Sequence, residues 1–160
     1  MKSRSHWLKR AETLALPVQP FIDGAFCPSH ATNMFAKYNP ADGKKLADIS
    51  EGHKNDVDNA VAAARTAFND ERWASLPVQK RKTVLLALAD LVDQNAEELA
   101  LLDVLDVGKP VKDALNIDVP LASTIIRYCA EGAEKIFGTL STPDHNTLAF
   151  SMRAPRGVVG

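Results

Sequence analysis

The chain has 160 residues, 46% hydrophobic and 24% charged, a composition typical of a globular protein rather than of a disordered or membrane-spanning one. Its 19 basic and 20 acidic residues leave a net charge of −1, so no field of one sign exists to attract nucleic acid or an anionic membrane surface. The length suffices for one domain with a buried core; with no bilayer-length apolar run and no secretory segment, we expect a cytoplasmic protein.

An arm and two hairpins are predicted at the start of the chain. Residues 1–20 are polar with scattered apolar side chains, which is typical of an arm or short helix laid on a larger body. In residues 21–26 an Asp-Gly pair between two apolar pairs predicts a tight hairpin. Residues 34–38 and 45–50 predict a second hairpin around an Asn-Pro turn and an Asp-Gly turn.

Helices are predicted over most of residues 55–137. Asn55 is expected to cap the first, Pro77 to begin the second and Asn95 to cap the third. Pro120 is expected to kink or break the last one. The side chains expected on buried faces are Val57, Val61, Ala64 and Phe68 of the first helix, Val84, Leu85, Leu88, Leu91 and Val92 of the second, and Leu121, Ile125, Tyr128 and Ile136 of the last.

Residues 99–110 predict a sharp corner between two helical layers. Gly108 can take the left-handed conformation that ends a helix, and Pro110 prevents the helix from resuming before it. Asp106 lies in the last turn, where the negative end of the helix dipole disfavours a carboxylate. A positive charge is therefore expected beside Asp106, either the nearby Lys109 or a bound cation.

The end of the chain is predicted to be extended. Residues 148–153 follow a Ser-Thr-Pro-Asp loop and alternate as a strand does, and a second strand pattern stops at Gly160. Natural domains seldom end on an exposed apolar edge strand. We therefore expect the sequence to be the N-terminal piece of a longer protein.

The residues themselves do not supply a complete active site. The eight glycines form neither a G-x-G-x-x-G turn nor a phosphate-binding P-loop. Cys27 and Cys129 are interpreted as buried structural thiols rather than nucleophiles. The four histidines are interpreted as surface residues; they are His6, His30, His53 and His145.

Several short motifs occur in a fixed order along the chain. They are Phe-Ile-Asp-Gly at 21–24, Tyr-Asn-Pro-Ala at 38–41, Asp-Val-Asp-Asn-Ala-Val at 56–61, Trp73, Arg81, Leu-Asp-Val-Gly-Lys-Pro at 105–110 and Arg-Ala-Pro-Arg-Gly-Val-Val-Gly at 153–160. Taken together, this order resembles the N-terminal region of the aldehyde dehydrogenase family. The resemblance covers residues 21–160 and is strongest to the γ-glutamyl-γ-aminobutyraldehyde dehydrogenases of putrescine degradation.

The resemblance implies an α/β fold that is the N-terminal part of the aldehyde dehydrogenase fold. We expect two short β-hairpins, then an antiparallel set of helices and an oligomerisation strand, together an incomplete cofactor-binding domain. The implied regions are an N-terminal arm at 1–20, the N-terminal part of the NAD-binding domain at 21–140 and the start of the oligomerisation strands at 141–160. The helices would pack on a parallel sheet whose strands are mostly missing.

The resemblance also implies an activity. The full-length protein would be an NAD- or NADP-dependent dimer or tetramer that oxidises an aldehyde, such as γ-glutamyl-γ-aminobutyraldehyde or another amino-aldehyde, to the carboxylic acid. In the family a cysteine thiolate attacks the aldehyde, the nicotinamide accepts the hydride and a glutamate activates water. Those residues lie beyond the equivalent of Gly160, so no catalytic or cofactor-binding residue is expected here and the chain alone is expected to be inactive. The alternative is an independent helical interaction module that binds a partner through its terminal strand.

One site that the resemblance implies does fall within the chain. Relatives hold Na⁺ or K⁺ through a backbone carbonyl just before the Asn-Pro turn and through the Asp of the Leu-Asp-x-Gly-Lys motif, which correspond here to Tyr38 and Asp106. Oxygen ligands suit a hard cation. A pair between Asp106 and Lys109, or a backbone N–H, is the alternative.

Overall fold

The computed structural model describes residues 2–160 as a set of helices with short two-stranded sheets. The helices are α1 (Arg4–Thr13), α2 (Lys54–Asn69), α3 (Val78–Gln94), α4 (Ala96–Val107), α5 (Val111–Asp113) and α6 (Val119–Gly132), with a π-helical turn at Ala114–Asp118 and a 3₁₀ turn at Ala133–Lys135. The strands are β1 (Phe21–Ile22), β2 (Ala25–Phe26), β3 (Met34–Tyr38), β4 (Lys45–Ser50), β5 (Leu140–Asp144) and β6 (Thr147–Phe150). None of these helices combines the length and the apolarity needed to cross a bilayer.

The first helix lies on α4. Ser3 caps it by accepting a hydrogen bond from the backbone N–H of His6 at 3.3 Å. Trp7 is the one side chain of α1 that is buried, and it packs against Leu101 and Leu105 of α4. The N-terminal segment is therefore held by an aromatic anchor, in line with the expected arm laid on a larger body.

The first two hairpins form where they are expected. Phe21 pairs with Phe26 and Ile22 with Ala25. Asp23 and Gly24 between them both have positive φ, as a two-residue turn that matches the strand twist requires. β3 and β4 pair in antiparallel register with a bulge at Lys37 and Tyr38.

The start of α2 is corrected by the structure. The capping residue is His53, not Asn55, and the helix begins at Lys54. The His53 ring accepts from the backbone N–H of Asn55 at 3.2 Å, and Asp56 accepts from the backbone N–H of His53 at 2.9 Å. This is a capping box in which His takes the place that Ser or Thr usually has. Because the prediction relied on the usual capping residues, it placed the cap at Asn55 instead of His53.

Two other helix starts differ in detail from the prediction. Pro77 stands immediately before α3 rather than inside it. Asn95 does precede α4, but its side chain makes no cap and donates instead to the Leu91 carbonyl of α3 at 2.8 Å. The short connection between α3 and α4 is thereby tied to the helix before it.

α3 and α6 pack along each other in opposite directions. Arg127 of α6 lies 2.7 Å from Asp90 and 2.6 Å from Asp93, toward the end of α3. Lys82, near the start of α3, lies 2.9 Å from Glu131, near the end of α6. The order of these pairs makes the two helices antiparallel, as the resemblance implied.

Pro120 marks a change of helix type rather than a simple break. The π-helical turn Ala114–Asp118 precedes α6, and Pro120 stands in the first turn of α6, where a missing N–H costs little. The helical stretch ends with the 3₁₀ turn Ala133–Lys135, two residues before the expected end at Phe137.

The most buried side chains are small. Within residues 2–160, four alanines have no exposed surface and none of the larger side chains is fully buried. Alanine lets helix backbones approach closely, so it occupies the centres of the helix contacts. These residues are Ala89 of α3, Ala100 of α4, Ala114 of the π-helical turn and Ala130 of α6.

Most side chains predicted on buried faces are exposed. The apolar period identifies a stripe on a helix but does not say which element covers it, and within residues 2–160 these stripes are largely uncovered. The exposed members are Val57, Val61, Ala64, Val84, Leu88, Leu91, Leu121, Ile125, Tyr128 and Ile136, whereas Phe68, Leu85 and Val92 are half-buried.

The last segment is a third hairpin, where a loop and a strand at 148–153 were expected. β6 ends at Phe150, and residues 151–160, which include the second expected strand, form no strand. Ser141 and Asp144, assigned to that loop, belong to β5 and pair with β6. The register shifts between them, and Pro143 lies at this irregularity, where a residue without an N–H is tolerated. The fold is α/β as expected, with three two-stranded antiparallel sheets and, among the described residues, no parallel sheet.

Candidate functional site

The corner at the end of α4 brings together the two segments that carry the predicted site. Gly108 ends α4 with φ of 78°, and its N–H donates to the Val104 carbonyl at 2.9 Å. A Cβ at Gly108 would lie 2.8 Å from Cγ of Pro40. The turn between β3 and β4 therefore lies directly against the end of the helix.

Asp106 has a cationic partner, but not the one that the sequence suggested. Lys37 Nζ lies 2.5 Å from Asp106 Oδ1 and 3.0 Å from its backbone carbonyl oxygen. The ammonium thus compensates both the carboxylate and the negative end of α4. Because 69 residues separate the partners along the chain, local sequence spacing gave no sign of this pair.

Lys109, the expected partner, is engaged elsewhere. Its Nζ lies 2.5 Å from Asp118 and 3.4 Å from Asp103. The hydrogen bond to Asp118 is the largest cause that raises the pKa of Lys109. Lys109 therefore joins α4 to the π-helical turn and is not the counter-ion of Asp106.

Tyr38 is the residue after Lys37, at the bulge that ends β3. Its side chain is exposed, and its backbone carbonyl is the atom to which the resemblance gives a cation. The structure brings its segment to Asp106 through Lys37 and through the contact of Pro40 with Gly108. Carbonyl and carboxylate oxygens at the negative end of a helix suit a monovalent cation, but the Lys37 ammonium already lies against the oxygens of Asp106. Among residues 2–160 no three His, Cys, Asp or Glu side chains gather as a metal cluster.

Sequence reasoning missed a buried carboxylate at the start of α2. Asp56 accepts hydrogen bonds from the Ser29 hydroxyl at 2.6 Å, from the His30 backbone N–H at 3.0 Å and from the His53 backbone N–H at 2.9 Å. The His30 ring Nδ1 also lies 2.6 Å from it. The Ser29 hydroxyl, followed by His30 and His53, holds the pKa of Asp56 well below its usual range. The His-x-x-Asp spacing before the helix was the signal that could have indicated it.

The charge of Asp56 also bears on the binding of dinucleotide phosphates at the start of α2. β4 leads into α2 through a short connection that contains Gly52, and the start of a helix after a strand is a place where phosphates can bind. The buried negative charge of Asp56 occupies the helix start and would repel a pyrophosphate. The start of α2 therefore does not fit the phosphates of NAD(P).

The two cysteines are free thiols in different environments. Cys27 is half-buried, with Sγ 3.6 Å from the Pro20 carbonyl oxygen. Cys129 is exposed, which corrects the expectation of a buried thiol. It lies on the outer face of α6, beside the exposed Tyr128.

Comparison with known proteins identifies a family. Residues 26–160 match the model described as the aldehyde dehydrogenase family. The chain is 38% identical over 155 residues to the NADP/NAD-dependent aldehyde dehydrogenase PuuC of Escherichia coli K12, covering 97% of the chain and 31% of the relative. It is 40% identical over 158 residues to the aminoacetaldehyde dehydrogenase of Pseudomonas aeruginosa PAO1, covering 99% of the chain and 32% of the relative.

A solved structure agrees with these relatives. The γ-glutamyl-γ-aminobutyraldehyde dehydrogenase of Burkholderia cenocepacia J2315 matches with a TM-score of 0.83 and 39% identity, over 88% of this chain and 29% of that one. The chain thus spans about a third of the length of the curated relatives it matches. The comparisons give no support to the alternative of an independent interaction module.

Proposed function

Since this chain belongs to the aldehyde dehydrogenase family, we propose that it is the N-terminal part of an NAD(P)-dependent enzyme that oxidises an aldehyde to the carboxylic acid. The observation that carries the proposal is the match over nearly the whole chain at 38% and 40% identity. We propose an amino-aldehyde as substrate, because one enzyme relative is an aminoacetaldehyde dehydrogenase and one structural neighbour is a γ-glutamyl-γ-aminobutyraldehyde dehydrogenase.

In this proposal the described residues build the scaffold and leave the chemistry to the rest of the enzyme. When bound, NAD(P)⁺ supplies the hydride acceptor. Cys27, held at the Pro20 carbonyl, and Cys129, on an outer helix face, are not the nucleophile. The exposed apolar stripes of α2, α3 and α6 are the surfaces on which the remaining two thirds of the enzyme would pack.

The enzyme is proposed to work in the cytoplasm as a homodimer or homotetramer. The β5–β6 hairpin supports the second part of this proposal, because every residue of both strands is exposed. Leu140, Leu148 and Phe150 present apolar side chains there. A surface of this kind is suited to a second subunit.

We also propose that the carbonyl of Tyr38 and the carboxylate of Asp106 are the oxygens to which Na⁺ or K⁺ would bind at this corner, at the place that the Lys37 ammonium takes. The contact of Pro40 with Gly108, which places the two segments together, supports this. The ion would supply positive charge at the end of α4 and would act on stability, not on the reacting atoms.

The activity is tested with the longest polypeptide that the gene encodes. Reduction of NAD⁺ or NADP⁺ is followed with aminoacetaldehyde and γ-glutamyl-γ-aminobutyraldehyde, and with uncharged aldehydes of matched length as controls. We expect kcat/KM for an amino-aldehyde to exceed that of its uncharged match by about tenfold or more. Absence of oxidation would overturn the proposal, and a preference for the uncharged aldehydes would overturn the substrate class.

A matched pair of experiments tests the role of this chain. The double variant Cys27→Ser/Cys129→Ser of the long polypeptide is expected to keep most of its activity. The 160-residue chain alone is expected to show no turnover. Loss of activity in the double variant, or turnover by the isolated chain, would contradict the assignment of the nucleophile to the rest of the enzyme.

A further inference from the structure

The Lys37 side chain holds the position that a cation would take at the end of α4. Its ammonium touches two oxygens of one residue, Asp106 Oδ1 at 2.5 Å and the Asp106 carbonyl at 3.0 Å. An ammonium group carries one positive charge and donates in three directions. It therefore offers the charge of Na⁺ or K⁺ to the Asp106 carboxylate, one of the two ligands of the proposed cation pair.

The surroundings of Lys37 favour this arrangement. A cavity of about 320 Å³ lies beside the pair and is lined by Leu16, Leu46, Ile49 and Leu102, with Lys37 and Asp106 at its edge. The aliphatic stem of a lysine can lie along such apolar side chains while its charged end reaches a carboxylate. The cavity also leaves space for a hydrated ion if the lysine head group is removed.

The other charges of the corner are already matched. Asp103 and Asp118 share Lys109, at 3.4 Å and 2.5 Å. Asp106 has Lys37 as its partner, and a second cation at the same oxygens would meet the repulsion of the ammonium. Lys37 and a metal ion are therefore competitors for Asp106.

We infer that the Lys37 ammonium is the built-in counter-ion of this corner, replacing Na⁺ or K⁺ at Asp106, and that a metal cation binds there strongly only when this positive charge is absent. The inference rests on the proposed cation pair of Tyr38 and Asp106 and is independent of the proposed aldehyde oxidation. It makes one residue of β3 the determinant of the cation dependence of the protein.

The test measures thermal unfolding of the longest polypeptide in NaCl, KCl and choline chloride at equal ionic strength. The wild type is expected to have the same Tm in all three salts. Lys37→Met is expected to unfold several degrees lower in choline chloride than in NaCl or KCl. Lys37→Arg keeps the charge and is expected to behave as the wild type. Lys44→Met, which removes an exposed lysine of the same hairpin, paired with Asp42, is the matched control and is expected to show no cation dependence.

The results distinguish the proposed cation site from the role of Lys37 as counter-ion. If the wild type and Lys37→Met respond equally to Na⁺ or K⁺ and Asp106→Asn does not respond, the cation site stands and the role of Lys37 is overturned. If no variant responds, the cation site and the inference both fall. The oxidation assay on the same variants reports on the enzyme assignment separately.

Discussion

At the scale of single residues, Gly108 is fixed by two independent constraints. Its φ of 78° lies in the left-handed region that other residues enter at a cost of about 1–2 kcal/mol. A side chain there would also meet Pro40 at 2.8 Å. Gly43 has a similar φ of 70° but open space around it. The comparison of these two glycines separates backbone strain from steric contact.

Gly108→Ala is expected to destabilise the protein by more than about 2 kcal/mol, because backbone strain and the clash with Pro40 add. Gly43→Ala is expected to cost about 1 kcal/mol, since only the strain applies. The free energies of unfolding from denaturant titrations measure both. Equal losses in the two variants would show that the helix end does not press on Pro40.

Asp56 is the second residue whose environment sets a measurable property. Its pKa in the folded chain lies well below the unfolded value of about 3.9. A depressed carboxyl pKa contributes stability that is fully present above the unfolded pKa and is lost as the pH falls below about 4. Protonation weakens the hydrogen bonds that the Ser29 hydroxyl and the backbone N–H groups of His30 and His53 donate to it.

Asp56→Asn is expected to lower Tm by several degrees at pH 7 and to lose less stability than the wild type as the pH falls below about 4. The amide keeps the shape but lacks the charge that its donors stabilise. Unfolding followed at a series of acidic pH values measures the effect. The control is Asp58→Asn, which removes the carboxylate of an exposed ion pair with Lys54 in the same helix. An identical pH profile of stability for the two variants would contradict the role of Asp56.

At the scale of elements, α1 is held on α4 chiefly by one aromatic side chain. Trp7 is 7% exposed and contacts Leu101 and Leu105, whereas the neighbouring Leu8 is 49% exposed. Glu97, in the first turn of α4, adds contacts to Lys2 and Arg10. Charged pairs at this level of exposure add little, so the aromatic contact dominates.

Trp7→Ala is expected to cost about 3–5 kcal/mol, the usual loss for removing a buried Trp. Leu8→Ala is expected to cost less than about 1 kcal/mol, because the side chain already faces solvent. Denaturant unfolding and limited proteolysis of the first residues measure the two effects. A stable Trp7→Ala variant whose N-terminal segment resists protease would show that the ion pairs hold α1.

The elements also show where sequence reasoning stops. The Asp23-Gly24 turn and the Gly108 corner were predictable because each depends on neighbouring residues. The pairing of Lys37 with Asp106 was not, since it joins β3 to α4 across the fold. The stripe that includes Leu91 was recognised as apolar, yet no period in the sequence states which surface covers it.

At the scale of the whole molecule, the packed interior is small for the length of the chain. Its accessible surface is 11,820 Å², about half as much again as the ~7,900 Å² expected for a compact monomer of this mass. Apolar side chains such as Tyr128, Phe137 and Met152 contribute to the excess. The proposed place of the chain in an enzyme about three times as long accounts for this surface.

The isolated 160-residue chain is therefore expected to bind a hydrophobic dye such as ANS in its native state and to self-associate as concentration rises, because contiguous apolar surface stays in water. Dye fluorescence and sedimentation velocity measure this, with the long polypeptide as the control. The expectation would be contradicted if the chain stays monomeric, does not increase ANS fluorescence and unfolds in one cooperative transition.

The π-helical turn Ala114–Asp118 has a consequence for how the helices are aligned. One inserted residue advances the phase of a helix by about 100°, so a single stretch can pack Ala114 against Ala100 of α4 and, after the turn, run as α6 along α3. Deleting one residue within 114–118 would restore a regular ladder but swing Arg127 away from its two aspartates. The number of residues in the π-helical turn therefore sets the rotation of α6 about its axis. A change in that number is expected to disturb the packing more than a change in the type of its residues.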